Sequence, residues 1–189
     1  LPRHPGERDD VSEVLIVGRE TRLGTIPAYP MPGKRRERRP LYVGQRTIHM
    51  ETPFGWIRIP KSYVTDFASI PWLATVASGT DLQALGRWAP AALGHDWFYA
   101  VGEPGARWMA DEFFRWRMEI DGVPGYQREV LYRSVRLGGA GGYKKAPSWW
   151  DTENFADPET GAYPIKPPFA REEAFAGQAW GRRLLPDWT

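Results

Sequence analysis

Cysteine is absent from the chain, and with it go disulfide scaffolds and thiolate metal sites, so stability has to come from packing. No stretch reaches the ~18 continuous apolar residues that a membrane span requires. The opening Leu1-Pro2-Arg3-His4-Pro5-Gly6 has no apolar core of a signal peptide, and the chain reads as soluble. It also has no Met at the start, so either a trimmed beginning or an incomplete chain is expected. A strong charge of either sign is missing too: 25 basic against 23 acidic residues give a net charge of only +2, too little to argue for nucleic acid. The basic residues gather at Lys34-Arg35-Arg36-Glu37-Arg38-Arg39, which reads as a solvated loop, with a phosphate-facing patch as the alternative. Histidine is scarce, at three residues, so each one can be weighed individually.

Aromatic residues, in contrast, are abundant. Ten Trp, eight Tyr and eight Phe supply large buried areas in a chain of 189 residues, enough for one domain with a core. Eighteen Pro and 20 Gly require many turns and extended connections. Residues 1–12 are polar and read as an extended arm, and Val14–Val17 as a short strand. Four prolines and the basic run make 26–40 a loop. Leu41–Met50 and Phe54–Pro60 form two strands, the second with Trp56 and Arg58 alternating against Ile57 and Ile59. Lys61–Trp72 has no clean period and reads as a structured loop.

From Asp81, a plausible N-cap, the signals turn helical. One helix runs from Pro90 to about Ala100 and another from Ala106 to Ile120, with Gly102-Glu103-Pro104-Gly105 as the turn between them. A third opens at Pro124-Gly125, with Val130, Leu131, Ser134, Val135 and Leu137 on one face, and stops at Gly138–Gly142. The expected fold is therefore α+β: a small antiparallel sheet, then a three-helix cluster containing an αα-hairpin. The domain spans 13–145, between the arm 1–12 and an aromatic, Pro-rich tail 146–189 that wraps over its own domain or a partner.

In the antiparallel helix hairpin, residues equidistant from the turn lie side by side, which puts His95 level with Asp111. A carboxylate there holds an imidazole tautomer and stabilises its charged form. Tyr99, one turn after His95, reaches Asp111 or a bound ligand. Asp96 projects about a hundred degrees away from His95. Asp66, in the irregular loop, brings a second carboxylate and backbone carbonyls towards it, a hard-oxygen set suited to Ca²⁺ or Mg²⁺. The matching chemistry is a His95-activated water attacking a metal-polarised carbonyl. The competing reading makes His95 a core residue and pairs Asp111 with Arg107 or Arg115 one turn away. Trp97, Phe98, Trp108, Phe113, Phe114 and Trp116 are read as packing, and Thr65 and Ser69 as formers of turn hydrogen bonds.

Three segments in order, Pro60-Lys61-Ser62-Tyr63-Val64-Thr65-Asp66-Phe67-Ala68-Ser69-Ile70-Pro71, Ala91-Ala92-Leu93-Gly94-His95-Asp96-Trp97-Phe98-Tyr99 and Ala110-Asp111-Glu112-Phe113-Phe114, resemble the DUF1353 family over about residues 45–145. That family is a domain of unknown function found largely in phage and prophage genes. The resemblance implies a phage context: a virion component, of the tail, or a protein in the host cytoplasm during assembly. Other phage structural proteins are then the expected partners of the two arms.

More locally, His95-Asp96-Trp97-Phe98-Tyr99 with a later helical Asp111 is similar to the secreted phospholipase A2 pattern of His-Asp-x-x-Tyr and a distant Asp. That similarity implies His95 as general base, Asp96 as calcium ligand, Asp111 as the acid that orients His95, and Tyr99 as its support. The chain departs from the pattern in having no Cys and no Gly-rich calcium loop, so Asp66 and its neighbours must replace that loop. Three functions follow as expectations. The first is an envelope hydrolase acting on phospholipid ester with Ca²⁺, or on peptidoglycan with Zn²⁺ held by His95 and two of Asp66, Asp96 and Asp111. The second is a structural tail or adaptor protein whose His-Asp cluster is a buried hydrogen-bond network. The third and weakest is nucleic-acid binding through residues 34–39.

Overall fold

The computed structural model describes residues 13–16, 26–36, 39–67 and 86–176. Val17, Ser69 and the N-cap expected at Asp81 lie outside these residues. Strand and helix segregate along the chain as an α+β fold requires. Strands β1 (Glu13–Ile16), β4 (Thr47–Thr52) and β5 (Gly55–Ile59) form one sheet in the order β1-β4-β5. Strands β2 (Ala28–Arg36), β3 (Arg39–Gly44) and β6 (Val64–Thr65) form another in the order β2-β3-β6. The alternation in β5 is as expected: Ile57 and Ile59 are buried while Trp56 and Arg58 face outward. β1 lies parallel to β4, with Val14 opposite Ile48, so the first sheet is mixed rather than purely antiparallel.

The loop expected over 26–40 is instead most of a β-hairpin. Pro30 and Pro32 are tolerated because β2 is an edge strand, where a missing N–H leaves no ladder bond unmade. The pairing with β3 also shifts between Pro30 and Arg35, as an irregular edge does. Pro40 sits early in β3, before the Tyr42–Val43 stretch that pairs with β6.

Helices follow: α1 (Ala89–Val101), α2 (Arg107–Ile120), α3 (Gly125–Gly138), α4 (Ala140–Glu153) and the short α5 (Arg171–Ala176). Every residue of α1 is buried, so this is the central helix of the core rather than an amphipathic surface one. It stops at Gly102, whose φ of +57° makes the left-handed cap and whose N–H reaches back to the Phe98 carbonyl. Ile16, Ile48, Met50, Ile57 and Ile59 from the first sheet join Trp97, Phe98, Phe113 and Phe114 in one core. Trp108 departs from the expected stripe: it is 43% exposed and meets Phe54 edge-on, at 5.6 Å between ring centroids. On α3, Leu131 and Val135 are buried, but Leu137 faces outward.

The run Gly138–Gly142 does not end the helical region. Gly139 keeps a right-handed helical conformation and a new helix starts beyond it, carrying Pro147 in its interior. Packing holds α4 where propensity would not: Trp150 lies among Trp97, Phe155 and Phe169. The chain from 146 to 176 therefore closes over its own domain. Val64 N–H donates to the Asn154 carbonyl and Ala156 N–H to that of Ser62, both at 2.9 Å, so the C-terminal segment is stitched to the stretch leading into β6.

At Gly94 of α1 the Phe113 side chain of α2 packs against the backbone, and an added Cβ would stand 2.5 Å from its ring. Gly94→Ala should cost about 1–3 kcal/mol by overpacking. Urea unfolding checks this, and a variant as stable as the parent would mean that the helix pair is not seated here.

Candidate functional site

The hairpin of α1 and α2 brings His95, Tyr99 and Asp111 into contact, as their spacing predicts. His95 Nε2 lies 3.0 Å from Asp111 Oδ1, and the Tyr99 hydroxyl donates to the same oxygen at 2.8 Å. Arg136 Nη1 of α3 donates to Oδ2 at 3.0 Å. Arg107 Nε donates to the Tyr99 hydroxyl at 3.1 Å and stands 3.7 Å from Oδ2, so the Arg107–Asp111 proximity exists alongside the His95 contact, not in its place. Arg115 pairs with Glu129 instead. The rings of Tyr99 and Phe114 cover the imidazole, with centroids at 4.2 and 5.0 Å.

Electrostatics fix the protonation states of this cluster. Burial pushes the His95 pKa below the ordinary imidazole value, although Asp111 works in the opposite direction, so the ring is neutral at pH 7. Burial alone would raise the Asp111 carboxyl, but the bonds from His95, Tyr99 and Arg136 outweigh it and hold the acid below its usual range. An ionised carboxylate has no proton to give. Nε2 of His95 therefore carries the hydrogen, and Nδ1 carries the basic lone pair. Burial is also the main cause that raises the Tyr99 phenol, which stays protonated and able to donate.

Asp66 and Asp96 sit in a different setting. Both line an open cleft of about 370 Å³, together with Arg36, Arg39, Tyr63 and Tyr99, and with a wall made by α4. His95 is not among the residues that line it, and is 2% exposed. The Thr65 hydroxyl donates to Asp96 Oδ2 at 2.6 Å and accepts the Phe67 N–H at 2.9 Å, the turn hydrogen bond expected of it. That turn places Phe67 in a left-handed conformation, φ +52°, directly after Asp66. Asp66 in turn accepts from Arg39 Nη1 at 3.3 Å.

Asp66 and Asp96 both line the cleft and carry oxygen donors of the kind that a hard cation such as Ca²⁺ takes. Among the described residues, no three His, Cys, Asp or Glu side chains gather closely enough to hold a metal. The three-ligand zinc arrangement is therefore not assembled: His95 turns Nε2 to Asp111, while Asp66 and Asp96 line the cleft.

Sequence reasoning did not find Arg136, Arg36, Arg39, Lys145 or Asn154 as site residues. The clustering of cations at 34–39 was the one signal for any of them, and Arg36 and Arg39 are its two members on the cleft wall. Among the described residues, no helix is long and apolar enough to cross a membrane.

A histidine whose folded pKa is depressed contributes stability that is complete above its unfolded value, 6.5, and is lost as pH falls through the folded one. Unfolding free energy should therefore decline as pH drops from 7 towards 5, and His95→Gln should flatten that decline. Urea titrations at stepped pH would show it, and an equal slope in both proteins would mean that the ring is not buried neutral.

No curated protein and no solved structure matches the chain. A family model does, over residues 45–135, a span that contains β4 to β6, α1, α2 and most of α3, with His95, Asp96, Tyr99, Asp111 and Asp66 all inside it. Its description is a protein of unknown function, and on that match the chain carries a domain of the DUF1353 family.

Proposed function

We propose that this domain is a phage-associated hydrolase of envelope esters with chemistry of the phospholipase A2 kind. The observation that carries the reading is the Asp111 carboxylate, which orients a neutral His95 through Nε2 while accepting the Tyr99 hydroxyl. The next residue, Asp96, is on the wall of an open cleft. In this reading Nδ1 of His95 takes a proton from water as the water oxygen bonds to an ester carbonyl. Asp111 stabilises the imidazolium, and His95 then returns the proton to the leaving alkoxide. Asp96 and Asp66 would hold a Ca²⁺, which when bound supplies positive charge for the carbonyl oxygen. The place of action in this reading is the virion tail, among neighbouring phage proteins.

A second reading draws on burial. His95 is 2% and Asp111 0% exposed, and the carboxylate on α2 is bonded from both α1 and α3, as a structural network in a tail or adaptor protein would be. Peptidoglycan as substrate is the weaker form of the hydrolase reading, because its zinc ligands are not gathered.

Two measurements decide between the readings. Calorimetric titration with Ca²⁺ should give saturable binding that Asp96→Asn abolishes. Hydrolysis of phosphatidylglycerol vesicles should fall by roughly 100-fold or more in His95→Ala, the usual scale for loss of a general base. An unaltered rate in that variant, or no Ca²⁺ binding by the parent, would leave the structural reading standing.

A further inference from the structure

We propose that the α4 side of the cleft is a binding site for a phosphate-type anion. The inference rests on reading this cleft as the substrate site, and it names the group that the substrate carries. Gly141, Gly142, Lys145 and Trp149 recur along one stripe of α4 and line the cleft, followed by Asn154 just past the helix end. This wall lies outside the family-matched stretch, which ends at residue 135, as do Arg36 and Arg39.

Three features of the wall call for an anion. The Lys145 ammonium stands over the Trp149 ring at 5.2 Å, and no ion pair joins it to a described carboxylate. Asn154 is 3% exposed, yet its Nδ2 has no hydrogen-bond partner. A buried amide donor without an acceptor bears its desolvation uncompensated, and Asn154 lines the cleft, so an acceptor oxygen bound there would relieve it. Arg36 is fixed at the same end of α4: Nη2 donates to the Glu153 carbonyl at 2.8 Å, and Nε lies 3.3 Å from Glu153 Oε2.

Charge and shape agree with this. Three cations, Arg36, Arg39 and Lys145, face two carboxylates across the cleft, and Arg39 is engaged with Asp66. Arg36 is paired with Glu153, so the positive charge with no described carboxylate beside it is that of Lys145, on the α4 side. The stretch of wall beside Lys145 carries no side chain: a Cβ built on Gly141 would meet nothing within 4 Å. Cations of two kinds and an amide donor, spread along one wall, suit an anion with several oxygens in a tetrahedral arrangement.

The test is calorimetric titration of the full chain with inorganic phosphate, without Ca²⁺, in a zwitterionic buffer at low salt. Saturable binding is expected, weakened about tenfold or more by Lys145→Gln, as loss of one charge-assisted contact implies. Gly141→Phe should block it by filling open space, while Lys144→Gln, an exposed neighbour that does not line the cleft, should leave it unchanged. Absence of saturable binding, or an equal loss from Lys144→Gln and Lys145→Gln, would overturn the proposal. Far-ultraviolet circular dichroism verifies that each variant is folded.

Co-sedimentation identifies the source of the group. Pelleting with phosphatidylglycerol vesicles that phosphate competes away marks a lipid headgroup, whereas phosphate binding without pelleting marks a soluble phosphate ester. The His95→Ala variant keeps this inference separate from the hydrolase reading. Phosphate binding retained there, beside a parent protein that hydrolyses nothing, would uphold the anion site and reject the hydrolase.

Discussion

The Asp111 carboxylate, fully withdrawn from water, is the point on which three helices converge. α1 supplies His95 and Tyr99, α2 supplies the acid itself, and α3 supplies Arg136. A lone buried carboxylate would be severely penalised by desolvation, and this one is held by three hydrogen bonds and a fourth group, Arg107, at 3.7 Å. The same anion locks the imidazole tautomer and fixes the rotation of α1 relative to α2. Arg107 then carries the constraint onward, because its Nη2 also caps the Val135 carbonyl near the end of α3. Helix geometry and site geometry thus share one origin.

The cleft next to this network joins two kinds of residue. Tyr63, Asp66, Asp96 and Tyr99 come from the family-matched stretch, and the strands and helices of that stretch set their positions. Arg36, Arg39, Lys145, Trp149 and Asn154 come from the hairpin before it and the helix after it. Asp66 connects the two groups: it follows β6, which pairs with β3, and it accepts from Arg39, which begins β3. The flanking segments are therefore part of the site's wall and not appendages to the domain.

What could be read in the sequence was local. Helical spacing put His95 beside Asp111, and period-2 alternation gave β5, because in both cases a regular backbone sets the distance between side chains. Arg136 was out of reach, since no regular element links it to Asp111 across 25 positions. The strand β2 was hidden by its prolines, which rule out a central strand but not an edge. α4 was hidden by Gly141, Gly142 and Pro147, whose unfavourable propensities are overridden by packing of Ala146 and Trp150. With α4 unread, the wall carrying Lys145 and Asn154 was unread as well.

The stitching of residues 154–156 onto Ser62–Val64 has a consequence for the order of events during synthesis. The segment that leads into β6, and so holds Asp66 in place, acquires these backbone partners only after some ninety further residues have been made. A nascent chain that has emerged only as far as α2 already contains His95 and Asp111, but lacks Arg136 and the whole α4 wall. Helices can form and pair locally at that stage, since their contacts are short in sequence. The cleft cannot. Whatever it binds, the cleft is incomplete on the ribosome until α4 and Asn154 have been delivered.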